Sequence, residues 1–197
     1  MASSDIAFSP SVKAIQTRKG SRAGYAKMAA RGDWQTTITP ELAAFVADQN
    51  SAFLATASAD GQPYIQHRGG PKGFLRVVDD HTLGFVEFAG NRQYISAGNL
   101  AENPKAHLFL IDYADQRRIK IWGTARVVEG DAELVAKLMP ADYAAKPEAV
   151  ILFTVTAWDV NCPQHIPHKV DVATVAPAVE RLQRRIAELE KQLAARG

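Results

Sequence analysis

The 197-residue chain has a single cysteine, Cys162, which excludes an internal disulfide and leaves too few thiolates for a structural zinc site. No stretch approaches the roughly 20 consecutive apolar residues of a membrane helix, and the opening MASSDIAFSPSVKAIQ lacks the apolar centre of a secretory signal. A soluble, cytoplasmic protein is expected. Lysine and arginine (23) barely exceed aspartate and glutamate (21) and never run five together, so neither nucleic acid nor a membrane is expected as a partner. What is present is 47% hydrophobic residues, enough for one core with appendages.

Residues 1–38 are polar with weak helical signals and read as a helical arm laid on a body. The body, residues 39–172, opens with TPELAAFVADQN, where Thr39 caps a helix, Pro40 takes its first position and Leu42, Phe45 and Val46 fall at helical spacing. From Phe53 the period changes to two. FLATASA, the turn dipeptide Asp60-Gly61 and QPYIQHR predict a hairpin. FLRVV, TLGFVEF and HLFLIDY follow as strands, and a short helix is expected from about Gln93 to Glu102. In RRIKIWGTARVV, Ile119, Ile121, Gly123, Ala125 and Val127 alternate with Arg118, Lys120, Trp122, Thr124 and Arg126, giving one core face and one cationic face. A helix DAELVAKLM and a strand AVILFTVTAWDV complete about seven strands with short connections. A mainly antiparallel β-barrel follows better than a parallel sheet. The tail, residues 173–197, carries Val175, Val179, Leu182, Ile186, Leu189 and Leu193 at alternating spacings of four and three. That is a coiled-coil seam of about three heptads for a partner helix from a second copy or the same chain, or else an amphipathic helix lying on its own barrel.

Three segments bring chemistry. If the chain is helical from about Gln93, then Arg92, Ser96 and Asn99 stand on one stripe beside a helix start whose free N–H groups favour a phosphate. The plain alternative is that Asn91 caps the helix and Arg92 is a solvated charge. QHRGGPKGF adds His67, Arg68 and Lys72 around Gly69 and Gly70, with the glycines permitting close backbone approach. It lacks the Lys-Ser/Thr ending and following helix of a P-loop, so a nucleotide triphosphatase is excluded. The third segment is the face of Arg118, Lys120 and Trp122. Cations gathered from three segments, with Trp122, Tyr94 and Phe74 as aromatic walls, fit a flat, phosphorylated ligand such as flavin mononucleotide (FMN). CPQHIPH spaces Cys162, His165 and His168 by three, but two prolines break any helix and a fourth ligand is missing, so no metal site is expected. This segment either packs as a turn or places Gln164 or His165 against the flavin. His81 and His107 read as structural.

The hairpin FLATASADGQPYIQHRGGPKGFLRV, the segment LGFVEFAGNRQYISAGNLAENPKAHLFLIDY and the strand RRIKIWGTARVVEG together resemble the pyridoxamine 5′-phosphate oxidase-like family, over roughly residues 40–165. The resemblance implies an FMN-binding split β-barrel with Greek-key antiparallel topology, forming a homodimer with FMN at the subunit interface. It implies phosphate contacts from Arg68, Lys72, Asn91, Arg92, Ser96 and Asn99, with His67, Gly69, Gln93 and Tyr94 in the same segments. The implied activity is that of an FMN-dependent oxidoreductase acting on a small organic substrate, with a reduced nicotinamide as donor. The Arg-hydrophobic-Leu-Lys strand and the basic, aromatic C-terminal segment of the vitamin enzyme are missing, so the expected substrate is not pyridoxamine phosphate. Two rivals are a non-catalytic flavin, haem or deazaflavin carrier of the same fold and a dimerisation module.

Overall fold

The computed structural model describes residues 2–195. Two helices, α1 (Pro10–Lys19) and α2 (Arg22–Arg31), form the N-terminal arm after a 3-10 turn at Ser3–Ile6. The arm is tied down by its aromatics, because Phe8 meets Tyr25 and Trp34 edge-on at 5.1 and 5.2 Å and Trp34 is buried. Helix α3 (Pro40–Ala47) starts as its residues require: the Thr39 hydroxyl accepts from the Leu42 N–H, and Pro40 stands where no N–H is needed. Leu42, Phe45 and Val46 bury its apolar face.

Seven strands follow: β1 (Ser51–Ala57), β2 (Pro63–Gly69), β3 (Arg76–Val77), β4 (Thr82–Phe88), β5 (Lys105–Asp112), β6 (Arg117–Val128) and β7 (Pro147–Asn161). Helix α4 (Ile95–Glu102) lies between β4 and β5, and α5 (Ala132–Leu138) between β6 and β7. They form one sheet in the order β2-β1-β5-β6-β7-β4-β3, antiparallel in the registered pairs. The long ladder is β6 on β7, from Arg118 opposite Asn161 to Val128 opposite Val150, with a bulge at Trp122/Gly123. Gly123 is required there, since a Cβ would overlap the Thr154 carbonyl oxygen.

Alternation along β1, β5, β6 and β7 sends Leu54, Leu108, Leu110, Ile119, Ile121, Ile151 and Phe153 into a single core with Leu83 and Phe85 of β4. Strands far apart in the sheet order share that core because the sheet curls. The curl carries β2 to β4 without backbone pairing. Across the gap the Arg68 guanidinium meets the Glu87 carboxylate at 2.8 Å. This is the split of a split barrel. The expected strand FLRVV shortens to Arg76–Val77 because Phe74 and Leu75 turn into the core. Arg76 donates to the carbonyls of Gly73, Lys137 and Met139.

The chain divides into two compact units, one of residues 2–111 and 118–162 and the other of residues 112–117 and 163–195. In the second unit Gln116 donates to the Ile166 carbonyl at 2.6 Å, and Lys169 covers the Tyr113 ring at 4.3 Å. That unit ends in α6 (Val172–Ala194), whose seam residues Val175, Val179, Leu182, Ile186, Leu189 and Leu193 are all exposed. No helix among the described residues is long and apolar enough to cross a membrane.

Candidate functional site

Strand β2 alternates its faces, and Tyr64, Gln66 and Arg68 fall on the side that looks across the split. Opposite them stand Glu87 and Phe88 at the end of β4, the connection Gly90–Tyr94, the start of α4 and Glu148. Together they line a cleft of about 230 Å³.

The centre of the cleft is Arg68. Its Nη2 donates to the Ser96 hydroxyl at 3.1 Å and meets Glu87 Oε1 at 2.8 Å, while its Nε and Glu87 Oε2 are buried without hydrogen-bond partners among the described residues. Ser96 is itself buried, in the first turn of α4. Burial pushes the Glu87 carboxyl above its ordinary range, Arg68 opposes that shift, and Glu148 adds to it. On the rim the Tyr94 hydroxyl donates to Glu148 at 2.7 Å, which raises the phenol pKa. Two guanidiniums, Arg68 and Arg92, thus face two carboxylates, Glu87 and Glu148.

The helix start differs from the expected one. Helix α4 begins at Ile95, and Arg92 and Tyr94 both take left-handed backbone at φ 59° and 53°. Arg92 is therefore not on a helical stripe with Ser96 and Asn99. It is an exposed side chain of the approach loop, still within the cleft. Asn91 does not cap the helix either. Its Oδ1 accepts from the Gln93 N–H at 3.2 Å in a local turn, and its Nδ2 donates to Gln93 Oε1. No side chain among the described residues caps α4, so its first N–H groups have no side-chain acceptor, and Ile95 and Ser96 of that turn line the cleft.

The other candidates lie elsewhere. Asn99 donates to the buried Thr56 hydroxyl at 3.0 Å, a tie between α4 and β1. His67 sits on the opposite side of β2, 2.9 Å from the Ser51 hydroxyl. It lines, with Gly69, a smaller depression of about 150 Å³ that shares Arg68 and Glu87 with the cleft. The glycine pair makes room for its own chain: a Cβ on Gly69 would press on His67 and Asn50, and one on Gly70 would press on Phe74. Lys72 is paired with Asp48 at 2.5 Å and borders a separate apolar groove. Arg118, Lys120 and Trp122 do not line the cleft. Trp122 stacks on Trp34 at 4.6 Å, Lys120 meets Asp159 at 3.1 Å and lies over both indoles, and Arg118 Nε is buried without a partner among the described residues. Phe74 is a core residue, edge-on to Phe85. Gln164 and His165 belong to the second unit, where His165 has a left-handed backbone at φ 64°. No cluster of three or more metal-ligating side chains occurs among the described residues.

Tyr64, Gln66, Glu87 and Glu148 were not anticipated. The first two follow from stepping back along β2 in twos from Arg68. Glu87, the lone acid in the apolar run TLGFVEF, carried a signal of the same kind. Glu148 carried none.

The donor set fits an anion: a half-buried guanidinium with a spare N–H, a buried hydroxyl, an exposed guanidinium and an uncapped helix start. No curated protein sequence matches the chain significantly. Among solved structures, HupZ of Group A Streptococcus is 22% identical, covering 68% of this chain and 99% of that one at a TM-score of 0.49. An FMN-binding protein of Syntrophomonas wolfei is 12% identical, covering 74% and 97% at 0.49. A Clostridium acetobutylicum protein related to general stress protein 26, of the pyridoxinephosphate oxidase family, is 14% identical, covering 68% and 94% at 0.47. The sequence itself is decisive, because the family model described as pyridoxamine 5′-phosphate oxidase matches residues 38–162, from the approach to α3 through the last residue of β7 and Cys162. With its curled seven-stranded sheet and its anion-suited cleft at the split, the chain belongs to the pyridoxamine 5′-phosphate oxidase family.

Proposed function

We propose that the protein is an FMN-dependent oxidoreductase that works as a homodimer on a small organic substrate, with a reduced nicotinamide as electron donor. The observation that carries this reading is the convergence of Arg68 and buried Ser96 at the uncapped start of α4, beside Arg92. These groups would hold the FMN phosphate. The guanidinium supplies charge-assisted donors, the Ser96 hydroxyl a short-range partner, and the helix start a fixed positive potential. When bound, FMN supplies the two-electron chemistry. The protein's part is to bind, orient and exclude. Glu87 pairs with Arg68 from across the split, and Tyr94 with Glu148 forms a polar rim.

The test is the visible spectrum of the protein after incubation with excess FMN and desalting, followed by release and identification of the chromophore. Retained flavin bands that bleach with NADH or NADPH and return when an organic acceptor is added support the reading. A colourless protein refutes the cofactor assignment, and a bound flavin that no donor bleaches refutes the enzymatic one.

A further inference from the structure

The seam of α6 is not used by the cleft. Its spacing assigns Val175, Leu182 and Leu189 to heptad position d and Val179, Ile186 and Leu193 to position a, and all six are exposed. Two features of this pattern discriminate between occupants. The central a positions, Val179 and Ile186, are β-branched while the central d positions, Leu182 and Leu189, are leucine, the combination that favours two parallel strands. The flanking positions carry the second feature. Arg185 is at g and Glu190 at the following e, so a parallel in-register pair sets Arg185 against Glu190 of a second copy twice over, by symmetry. An antiparallel pair aligned on the same seam sets Arg185 against Arg185. Among the described residues of the single chain Arg185 is held only by an exposed pair with Glu188 at 3.2 Å on its own helix.

From this we infer that α6 docks on α6 of a second copy of this chain as a parallel, in-register, two-stranded coiled coil. The occupant is chosen by charge as well as by apolarity: the same seam on an unrelated helix would leave Arg185 and Glu190 unmatched. About three heptads form a short coil, so a second contact between the copies would strengthen it by raising the effective concentration of the helices. The inference stands apart from the cofactor reading.

The experiment uses the full chain in a Cys162→Ser background. Leu189→Cys places a thiol in a d layer, where a parallel pair brings it against its counterpart. Lys191→Cys places one on the outward side. In oxidised glutathione buffer the first variant is expected to give a reducible covalent dimer as its main product and the second only a trace. In an antiparallel pair the two position-189 thiols stand about ten residues apart, roughly 15 Å by helical rise, and do not join. Absence of the dimer from Leu189→Cys, or equal cross-linking of the two variants, overturns the proposal. Charge provides the second arm. Arg185→Glu slows cross-linking, and adding Glu190→Arg to it restores the rate; failure to restore also overturns the assignment. The outcome is the same with and without FMN, which separates it from the fate of the cofactor reading.

Discussion

Arg68 and Glu87 provide the most discriminating test of the cleft, because the two partners of one ion pair are expected to act on FMN with opposite signs. Arg68→Ala removes a charge-assisted donor, a loss of about 1.5–3 kcal/mol, or roughly 10- to 150-fold in FMN affinity. Glu87→Gln takes a negative charge away from the same guanidinium, now held at 2.8 Å. Two like unit charges roughly 6 Å apart would repel by ~3 kcal/mol at an effective dielectric of about 20, the scale of a carboxylate beside an anion held on its own partner. Arg68 neutralises much of that, and burial, which pushes the Glu87 carboxyl above its ordinary range, works in the same direction. The remaining gain is about 1 kcal/mol, so Glu87→Gln should tighten FMN about fivefold. Titration by quenching of flavin fluorescence measures both, with thermal unfolding of the flavin-free proteins as the control for folding. If Glu87→Gln weakens FMN, or if Arg68→Ala leaves its affinity unchanged, Arg68 is a bridge across the split and not a phosphate ligand.

His107 should give the protein a pH-dependent stability. Its pKa is lowered to about 4 by burial and by nearby Lys120, against 6.5 ordinarily, so between those values the unfolded chain binds a proton that the folded chain refuses. Stability should therefore fall as pH drops from about 6.5 to 4, by up to about 3 kcal/mol and nearer 2 for a half-buried ring open to solvent screening. Urea midpoints against pH should show that loss and its absence in His107→Phe; matching slopes in the two proteins would refute it. Gly123→Ala forces a methyl into the Thr154 carbonyl at the β6–β7 bulge. It should cost about 3–4 kcal/mol, read as a fall of roughly 10 °C in the unfolding temperature; a change under about 2 °C would show that the bulge yields.

Much of the fold was legible because periodicity is a property of contiguous residues. RRIKIWGTARVV became β6 with the ends that its alternation marked, the run TLGFVEF became β4 over its whole length, and Thr39-Pro40 opened α3 as their side chains dictate. FLRVV read as a full strand, yet its alternation was broken by Phe74 and Leu75, which the core claims. The site was legible only in part. Arg68, Arg92 and Ser96 come together, but through the curl of the sheet and not along a helical stripe. Nothing local announces left-handed backbone at Arg92 and Tyr94, since neither is glycine or asparagine. The partnership of Tyr94 with Glu148 spans 54 residues. Trp122 was read as a wall for a flat ligand because its face alternates away from the core. The arm places Trp34 on that face.

The way the β1–β2 hairpin is joined to the rest bears on how the protein opens. β6 and β7 are registered from Arg118 to Val128, whereas β1 is registered with β5 at Phe53, Leu54 and Ala55. On its far side the hairpin is joined to β4 by a side-chain pair with no amide ladder. Amide hydrogen exchange should therefore separate two populations, with the β6–β7 backbone exchanging last and β2 sooner, by partial opening that leaves the body intact. A ligand gripping both Arg68 and the start of α4 would fasten this hinge, so its presence should slow exchange along β2 more than along β7.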